Sequence, residues 1–310
     1  MNKEFKADLL LLTITALWGP AFILIKNILD DIPIFAYLSL RFILAAVVLI
    51  LIYKNRLKKI TREMAVHGFW IGIMLFGGMT AQIVGLSFTT ASNTAFISGM
   101  NVVFIPIISA FYLHKTLSSS SIIGVLLAFT GLFFLTGGID LNFNLGDWLV
   151  LLGALCYTIQ IFLIDKYTNS NDPIVLAIIQ LSVTAILHTG VWLSFNFQPI
   201  IFNSNVIMTI IFTGVICTAF AFAGQNIAQK STSPTHTALI FTTEPLFGAA
   251  AAMIIPNSQG ITETLGVNVI VGGILILSGM LISEFHLINP IDYLLKNSYS
   301  KLYDQSKTEG

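Results

Sequence analysis

The sequence predicts an all-α integral membrane protein, with ten transmembrane helices in two inverted five-helix repeats around a central cavity. Three observations carry that expectation. Of 310 residues, 55% are apolar and only 10% are charged, against about 25% charged in a soluble globular domain, so a soluble protein is excluded. Ten apolar stretches, punctuated by turn residues and charges, each approach the roughly 20 residues that a helix needs to cross hydrocarbon. The two halves of the chain also match one another in their polar residues.

In order, the expected spans cover about 7–28, 34–53, 67–89, 93–113, 120–138, 147–165, 173–194, 206–228, 235–256 and 265–286. The first follows the short stretch Met1–Asp8 and shows no small-residue cleavage pattern before Trp18-Gly19-Pro20, which reads as a retained span and not a signal peptide. Loops of only a few residues between several later spans force neighbouring helices to run antiparallel. From Glu284 to Gly310 the chain turns polar, and Ile291, Leu294, Leu295 and Leu302 leave open either a solvated end or a short surface helix. The chain thus divides into a first unit over 1–140, a second over 146–288 and a polar tail over 289–310.

Basic residues orient these spans. With the N-terminus in the cytoplasm, Lys3, Lys6, Lys54, Arg56, Lys58, Lys59, Arg62, Lys115, Lys166, Lys230, Lys296, Lys301 and Lys307 all fall on the cytoplasmic side. The opposite loops hold only acidic charge: Asp30, Asp31, Asp140, Asp147 and Glu263. Such separation predicts cytoplasmic termini and a plasma (inner) membrane protein by the positive-inside rule.

The halves superimpose in a single register that lays Gln82 on Gln225, Thr94-Ala95 on Thr237-Ala238, Ile97 on Ile240, Asn101 on Glu244 and Phe104 on Phe247. Shifted by one position, Gly124, Gly131 and Gly137 fall on Gly266, Gly273 and Gly279. Five spans per half is odd, so the second half enters the membrane from the other side, the inverted topology that places a substrate near the midplane between halves.

Polar groups at membrane depth are costly and need a reason. Arg41 lies roughly 10 Å below the outer surface and Glu244 roughly 14 Å from the inner one, at 1.5 Å per residue. For Arg41, a cavity role and an outward reach to Asp30 or Asp31 both stand; for Glu244, a structural carboxyl and a substrate- or proton-binding group do. Gln82, Asn101, Gln160, Gln180, Gln225 and Asn226 add amides from both halves, each explicable singly by interhelical hydrogen bonds and together by a polar cavity. Trp18 sits near the middle of its span before Gly19-Pro20, away from the interfaces where Trp70, Trp148 and Trp192 fit an aromatic belt; lining of the cavity and packing at the kink both stand for it, and Tyr157 is its counterpart and a cavity candidate in the second half. His188 is a second candidate for proton coupling, against a packing role. Pro106 and Pro245 fall in corresponding spans and mark expected breaks, while Gly68 and Gly72 form a GxxxG pattern for close helix approach. Lys26 is expected to reach the outer interface.

Other chemistries find no support. Cys156 and Cys217 are too few for a disulfide framework and too isolated for a metal site. The HExxH, GxSxG, Walker A and dinucleotide-loop motifs are absent, so neither catalysis nor a cofactor or metal is expected. A net charge of zero without basic blocks predicts no nucleic-acid partner; the expected partners are a small-molecule substrate and the lipid bilayer, with monomer and homodimer both open.

Several segments taken in order resemble the drug/metabolite transporter superfamily, specifically its EamA-like type. These are Leu17-Trp18-Gly19-Pro20 followed by Lys26, Tyr37-Leu38-Ser39-Leu40 before Arg41, and Thr90-Ala91-Ser92-Asn93-Thr94-Ala95-Phe96. In the second half they are Ser233-Pro234-Thr235, Ala238-Leu239-Ile240 and Glu244-Pro245-Leu246-Phe247. The resemblance runs over about 7–286 and implies ten helices in two EamA domains, carrying small metabolites such as amino acids, nucleosides, carboxylates or drugs, often outward, by alternating access. The family's usual Gly-Glu pairs are replaced here by His114-Lys115 and Asn257-Ser258. A membrane-embedded enzyme acting on a lipid or lipid-linked substrate is the alternative from another class; it calls for a carboxylate or His cluster near one interface.

Overall fold

A computed structural model describes residues 3–89, 91–111, 118–135, 144–195, 200–256, 260–262 and 266–284, and among them every regular element is helical. The chain runs through α1 (Lys3–Lys26), α2 (Ile34–Ile52), a one-turn α3 (Lys54–Leu57), α4 (Arg62–Leu86), α5 (Ala91–Gly99) and α6 (Asn101–Phe111). It continues through α7 (Ser119–Leu135), α8 (Leu145–Thr168), α9 (Pro173–Phe195), α10 (Ser204–Ile211), a π-helical segment Phe212–Phe220 and α11 (Ala221–Gln229). It closes with α12 (Pro234–Phe241), α13 (Glu244–Ala252) and α14 (Val267–Glu284). The replaced pairs His114-Lys115 and Asn257-Ser258, together with Gly137, Asp140, Glu263 and the tail over 289–310, lie outside the described residues.

Among the described residues, six stretches are long and apolar enough to cross a membrane: α1, α2, α4, α8, α9 and the continuous run Ser204–Gln229. The 24 residues of α1 extend roughly 36 Å at 1.5 Å per residue, more than the roughly 30 Å of hydrocarbon. Polar caps fix where they begin. Thr61 accepts the Met64 N–H at the start of α4, and Asn144 and Asp147 form a reciprocal capping box on α8. Shorter apolar helices, α7 and α14 among them, accompany the six.

Two expected spans are interrupted. The stretch 93–113 divides into α5 and α6 at Met100, and 235–256 divides into α12 and α13 at Thr242-Thr243, the corresponding place in the second half. Proline explains the second break, because Pro245 lacks the N–H that the Phe241 carbonyl would receive. The hydroxyls of Thr242 and Thr243 also turn back onto the Leu239 and Ile240 carbonyls at 2.6 and 2.7 Å. Pro106, expected to break its span, instead sits inside α6. The interruption comes well before it, at Met100, so that proline is accommodated within a helix whose break has another origin.

Small residues set the closest packing. On α7, a Cβ at Gly131 would lie 2.6 Å from the Gly272 carbonyl oxygen of α14, and one at Gly124 would lie 2.7 Å from that of Gly279. The backbones therefore touch. These partners differ from the glycines matched by register, since Gly266 faces open space and Gly273 meets Leu246. Gly68 and Gly72 do bring α4 close to α9, against Ile179, Gln180 and Val183. Helix α1 meets α13 at Gly19, where a Cβ would come within 2.6 Å of the Gly248 nitrogen. Two buried apolar clusters, one centred on α2 and α9 and one on α1, α6 and α12, both pack against Trp18.

Candidate substrate cavity

Between these clusters lies a cavity of about 330 Å³, at the small end of the roughly 300–1,000 Å³ typical of small-molecule sites. It begins at mid-bundle, where Trp18, Arg41, Gln82, Asn101, Tyr157, Gln160, Gln225 and Glu244 contribute to its wall. From there it runs toward Lys26, Leu86, Leu135 and Ala252, the C-terminal ends of α1, α4, α7 and α13. These ends lie on one side of the bundle, and Lys26 is exposed there. Eight side chains singled out in the sequence as cavity candidates thus meet in one space.

Arg41 is 3% exposed, and its stem comes from the middle of α2. Its Nε donates to Thr218 Oγ1 at 2.6 Å and its Nη1 to Tyr37 Oη at 3.4 Å, while Tyr37 donates onward to Thr213 Oγ1 at 3.1 Å. No carboxylate approaches within 4.0 Å among the described residues. Asp31 is instead engaged by the Asn203 amide at 2.7 Å, so the outward reach considered for Arg41 is not taken. Glu244, the first residue of α13, makes no hydrogen bond or ion pair among the described residues. A cation and a carboxyl group therefore line one cavity with nothing neutralising either directly.

The π-helical segment builds the wall behind Arg41. There the N–H of Ala221 bonds to the Ile216 and Thr218 carbonyls, passing over that of Cys217, which accepts the Trp18 indole N–H at 2.8 Å. The Thr218 hydroxyl spans the same wide register, bonding to the Thr213 carbonyl at 2.8 Å. One irregular turn thus holds both Trp18 and Arg41, a use consistent with the frequent placement of π-turns at functional sites. Trp18 is further packed by Phe222 and Phe241, with ring centroids 5.8 and 5.1 Å away.

Amides divide into two sets. Gln82 is satisfied on the cavity wall, donating to Ser98 Oγ and accepting from Tyr157 Oη, both at 2.9 Å. Asn101 Oδ1, Gln160 Nε2 and Gln225 Oε1 are buried, shielded from the cavity, and without a hydrogen-bond partner among the described residues. Gln180 and Asn226 do not line the cavity. They bond to each other at 3.3 Å, Asn226 donates to the Pro173 carbonyl at 3.1 Å, and beside them Gln225 donates to Gln229, which donates to the Ile161 carbonyl. This network ties α11 to α8 and α9 at the closed end. Below it, Thr232 donates to Asp8 at 2.9 Å and His236 approaches Glu4 at 3.8 Å.

His188 also lies away from the cavity. Its Nε2 is 3.2 Å from Thr80 Oγ1, and its ring stacks on Phe42 with Phe35 and Phe76 alongside. Tyr37, Thr213, Thr218 and Gln229 were given no role from the sequence. Two threonines in an apolar span were the visible trace of Thr213 and Thr218, Tyr37 stood out only by its place one turn before Arg41, and nothing in sequence announces a π-register.

A bundle of membrane-length apolar helices enclosing a solute-sized cavity lined by a cation and a carboxyl group defines the class: a multi-pass membrane protein. The model of the EamA-like transporter family matches residues 5–137 and again 144–283, and the chain belongs to that family. It is 34% identical over 245 residues to an uncharacterized transporter of Archaeoglobus fulgidus, covering 79% of this chain and 76% of that one. It is 23% identical over 292 residues to the uncharacterized transporter YyaM of Bacillus subtilis, covering 90% and 95%. A protein of known crystal structure superimposes with a TM-score of 0.76 at 18% identity, over 92% of this chain and 98% of that one, a likeness of fold alone.

Proposed function

We propose that the chain is a secondary or facilitative transporter of the plasma (inner) membrane that carries small metabolites, amino-acid-like solutes among them, outward by alternating access. The observation that carries the reading is the cavity itself: Arg41 and Glu244 face it unpaired, and it leads to one end of the bundle while hydrogen bonds close the other. With the basic residues placed in the cytoplasm, the open end faces outward, and the N- and C-termini lie inside.

Two inverted five-helix units, 1–140 and 146–288, give the rocking elements. Packing of α4 on α8 and of α1 on α11 is what a two-fold axis in the membrane plane would pair, as is packing of α7 on α14 and of α2 on α9. Rocking about that axis would open the α11 end and close the α4 end around a site that stays at mid-bundle.

The test is directional thiol labelling in right-side-out membrane vesicles, with Cys156 and Cys217 replaced by Ser. Leu86→Cys should react with an impermeant maleimide from outside, and Gln229→Cys should stay protected until the membrane is made permeable. The reverse pattern overturns the orientation, and equal labelling of both overturns alternating access.

A further inference from the structure

We propose that the folded connection between α2 and α4, together with the first turns of α4, seats an anionic phospholipid of the leaflet it borders. The headgroup phosphate lies among Lys58, Lys59 and Arg62, and an acyl chain runs along Val66, Phe69 and Trp70. This inference rests on the chain being a membrane protein and asks nothing of the transporter reading.

Charge is the first observation. Five of the nine residues Lys54–Arg62 are basic. Arg56 is taken by Asp172, whereas Lys54, Lys58, Lys59 and Arg62 are exposed, with no carboxylate within 4.0 Å among the described residues. Glu63 approaches His67 instead, at 3.9 Å. The fold does not call for these cations: in the register that relates the halves, the matching stretch runs from Phe197 to Asn205 and holds no charged residue. Orientation by positive charge asks only that cations lie on that side. It does not ask that they be folded onto an apolar stripe, which is where these stand.

That placement is the second observation. The Lys59 N–H bonds to the Arg56 carbonyl at 2.9 Å and the Ile60 N–H to that of Leu57 at 3.2 Å, so α3 continues as tight turns up to the Thr61 cap of α4. Leu57 packs inward on the cluster of α2 and α9, and Arg56 ties the turn to Asp172, which accepts the Ile174 N–H at the start of α9. Lys58, Lys59 and Ile60 are left exposed. Along α4, Arg62, Val66, Phe69 and Trp70 follow the spacing of a single helix face, and all four are exposed. The Phe69 and Trp70 rings meet edge to face with centroids 5.6 Å apart. Trp70 lies roughly 12 Å along the helix from Arg62 at 1.5 Å per residue, the relation of an acyl chain to its phosphate. Gly68 and Gly72 turn elsewhere, against α9.

Charge also selects the occupant. A zwitterionic headgroup offsets its phosphate with its own ammonium, whereas a net anionic one answers a polybasic segment beside a membrane helix. A second copy docked through the same face would set like charges together.

The test uses the full chain purified in neutral detergent, with phosphatidylglycerol and phosphatidylcholine of identical acyl chains. Phosphatidylglycerol should raise the melting temperature, as selective binding does, and phosphatidylcholine should not; the rise should shrink at high salt. Lys58→Gln, Lys59→Gln and Arg62→Gln combined should lose most of the rise. Lys3→Gln, Lys6→Gln and Lys230→Gln combined remove the same charge from the same end and should keep it. Equal rises with the two lipids, or equal losses in the two triple variants, overturn the seat. An equal rise with inorganic phosphate overturns the lipid as occupant, and so does disulfide cross-linking between copies through Val66→Cys in native membranes. Should the triple variant fail to fold, tryptophan fluorescence decides: brominated phosphatidylglycerol should quench more than brominated phosphatidylcholine, and Trp70→Phe should abolish the excess. An excess that persists in Trp70→Phe overturns the path assigned to the chain.

Discussion

The last turns of α4 and of α11 occupy matching places in the sequence and do opposite things in the structure. In the register that relates the halves, Gln82, Ile83 and Leu86 fall on Gln225, Asn226 and Gln229. At the α4 end, Gln82 is bonded to Ser98 and Tyr157, and Ile83 and Leu86 line open cavity. At the α11 end, amides replace the two aliphatic residues and interlock with Gln180, Pro173 and Ile161. The difference teaches that similar backbones carry different side-chain chemistry at the two ends, interlocked amides at one and aliphatic groups at the other. Amide bonds inside a bundle are directional and leave buried polar groups stranded when broken. Two aliphatic side chains would seal by excluding water, with no preferred geometry.

The comparison breaks most severely where both ends share a wall. Leucine at Gly19 would force α1 off α13, because the obstructing atoms are Gly248 and Phe247 backbone. Gly19→Leu should abolish monodisperse protein in detergent chromatography, whereas Gly190→Leu, with open space around it, should leave the elution profile unchanged. Next, Asn226→Leu strands the Gln180 amide and the Pro173 carbonyl, and should cost about 1–3 kcal/mol, read as a lower melting temperature. Ile83→Leu, its counterpart on the open side, should cost less than about 1.5 kcal/mol. Equal losses at the two positions would sink the contrast between ends.

Gln229→Leu sharpens it further. Loss of the bonds to Gln225 and the Ile161 carbonyl should destabilise by about 1 kcal/mol and speed maleimide labelling of Ala228→Cys from the inner side. The smallest effect is expected at the loops. Arg56 Nη1 donates to both Asp172 carboxylate oxygens, at 3.0 and 2.8 Å, with side chains 45% and 21% exposed, and such a pair contributes at most about 1 kcal/mol once solvent screening is counted. The destabilisation caused by Arg56→Ala should shrink as salt is raised. That of Asn203→Ala, which removes a neutral amide from Asp31 at the other end and with it the Asn203 cap on α10, should depend far less on salt.

Much of the cavity was legible beforehand because charge and amides in hydrocarbon require a cause. Trp18, Arg41, Gln82, Asn101, Gln160, Gln225 and Glu244 were picked out by depth and chemistry and Tyr157 as the counterpart of Trp18, and all eight line the cavity. The same reasoning could not separate Gln180, Asn226 and His188 from them. A buried amide looks alike in sequence whether it faces a cavity or a neighbouring amide, and only the rotation of each helix about its own axis distinguishes the two. Repeat register likewise aligns Gly124 and Gly131 with Gly266 and Gly273 without saying which glycines touch; contact between α7 and α14 depends on where antiparallel helices cross.

Membrane character and the inventory of polar side chains available to a site follow from the sequence alone, because each depends on local hydropathy summed over about twenty residues. Tertiary structure decided which of those side chains remain unpaired. The π-turn over Phe212–Phe220 turns Thr218 toward Arg41 and frees a carbonyl for Trp18, and the break at Thr242-Thr243 sets Glu244 at the head of a new helix facing the cavity. These depend on departures from regular hydrogen bonding that neighbouring helices select, and no periodic pattern within a single span encodes them.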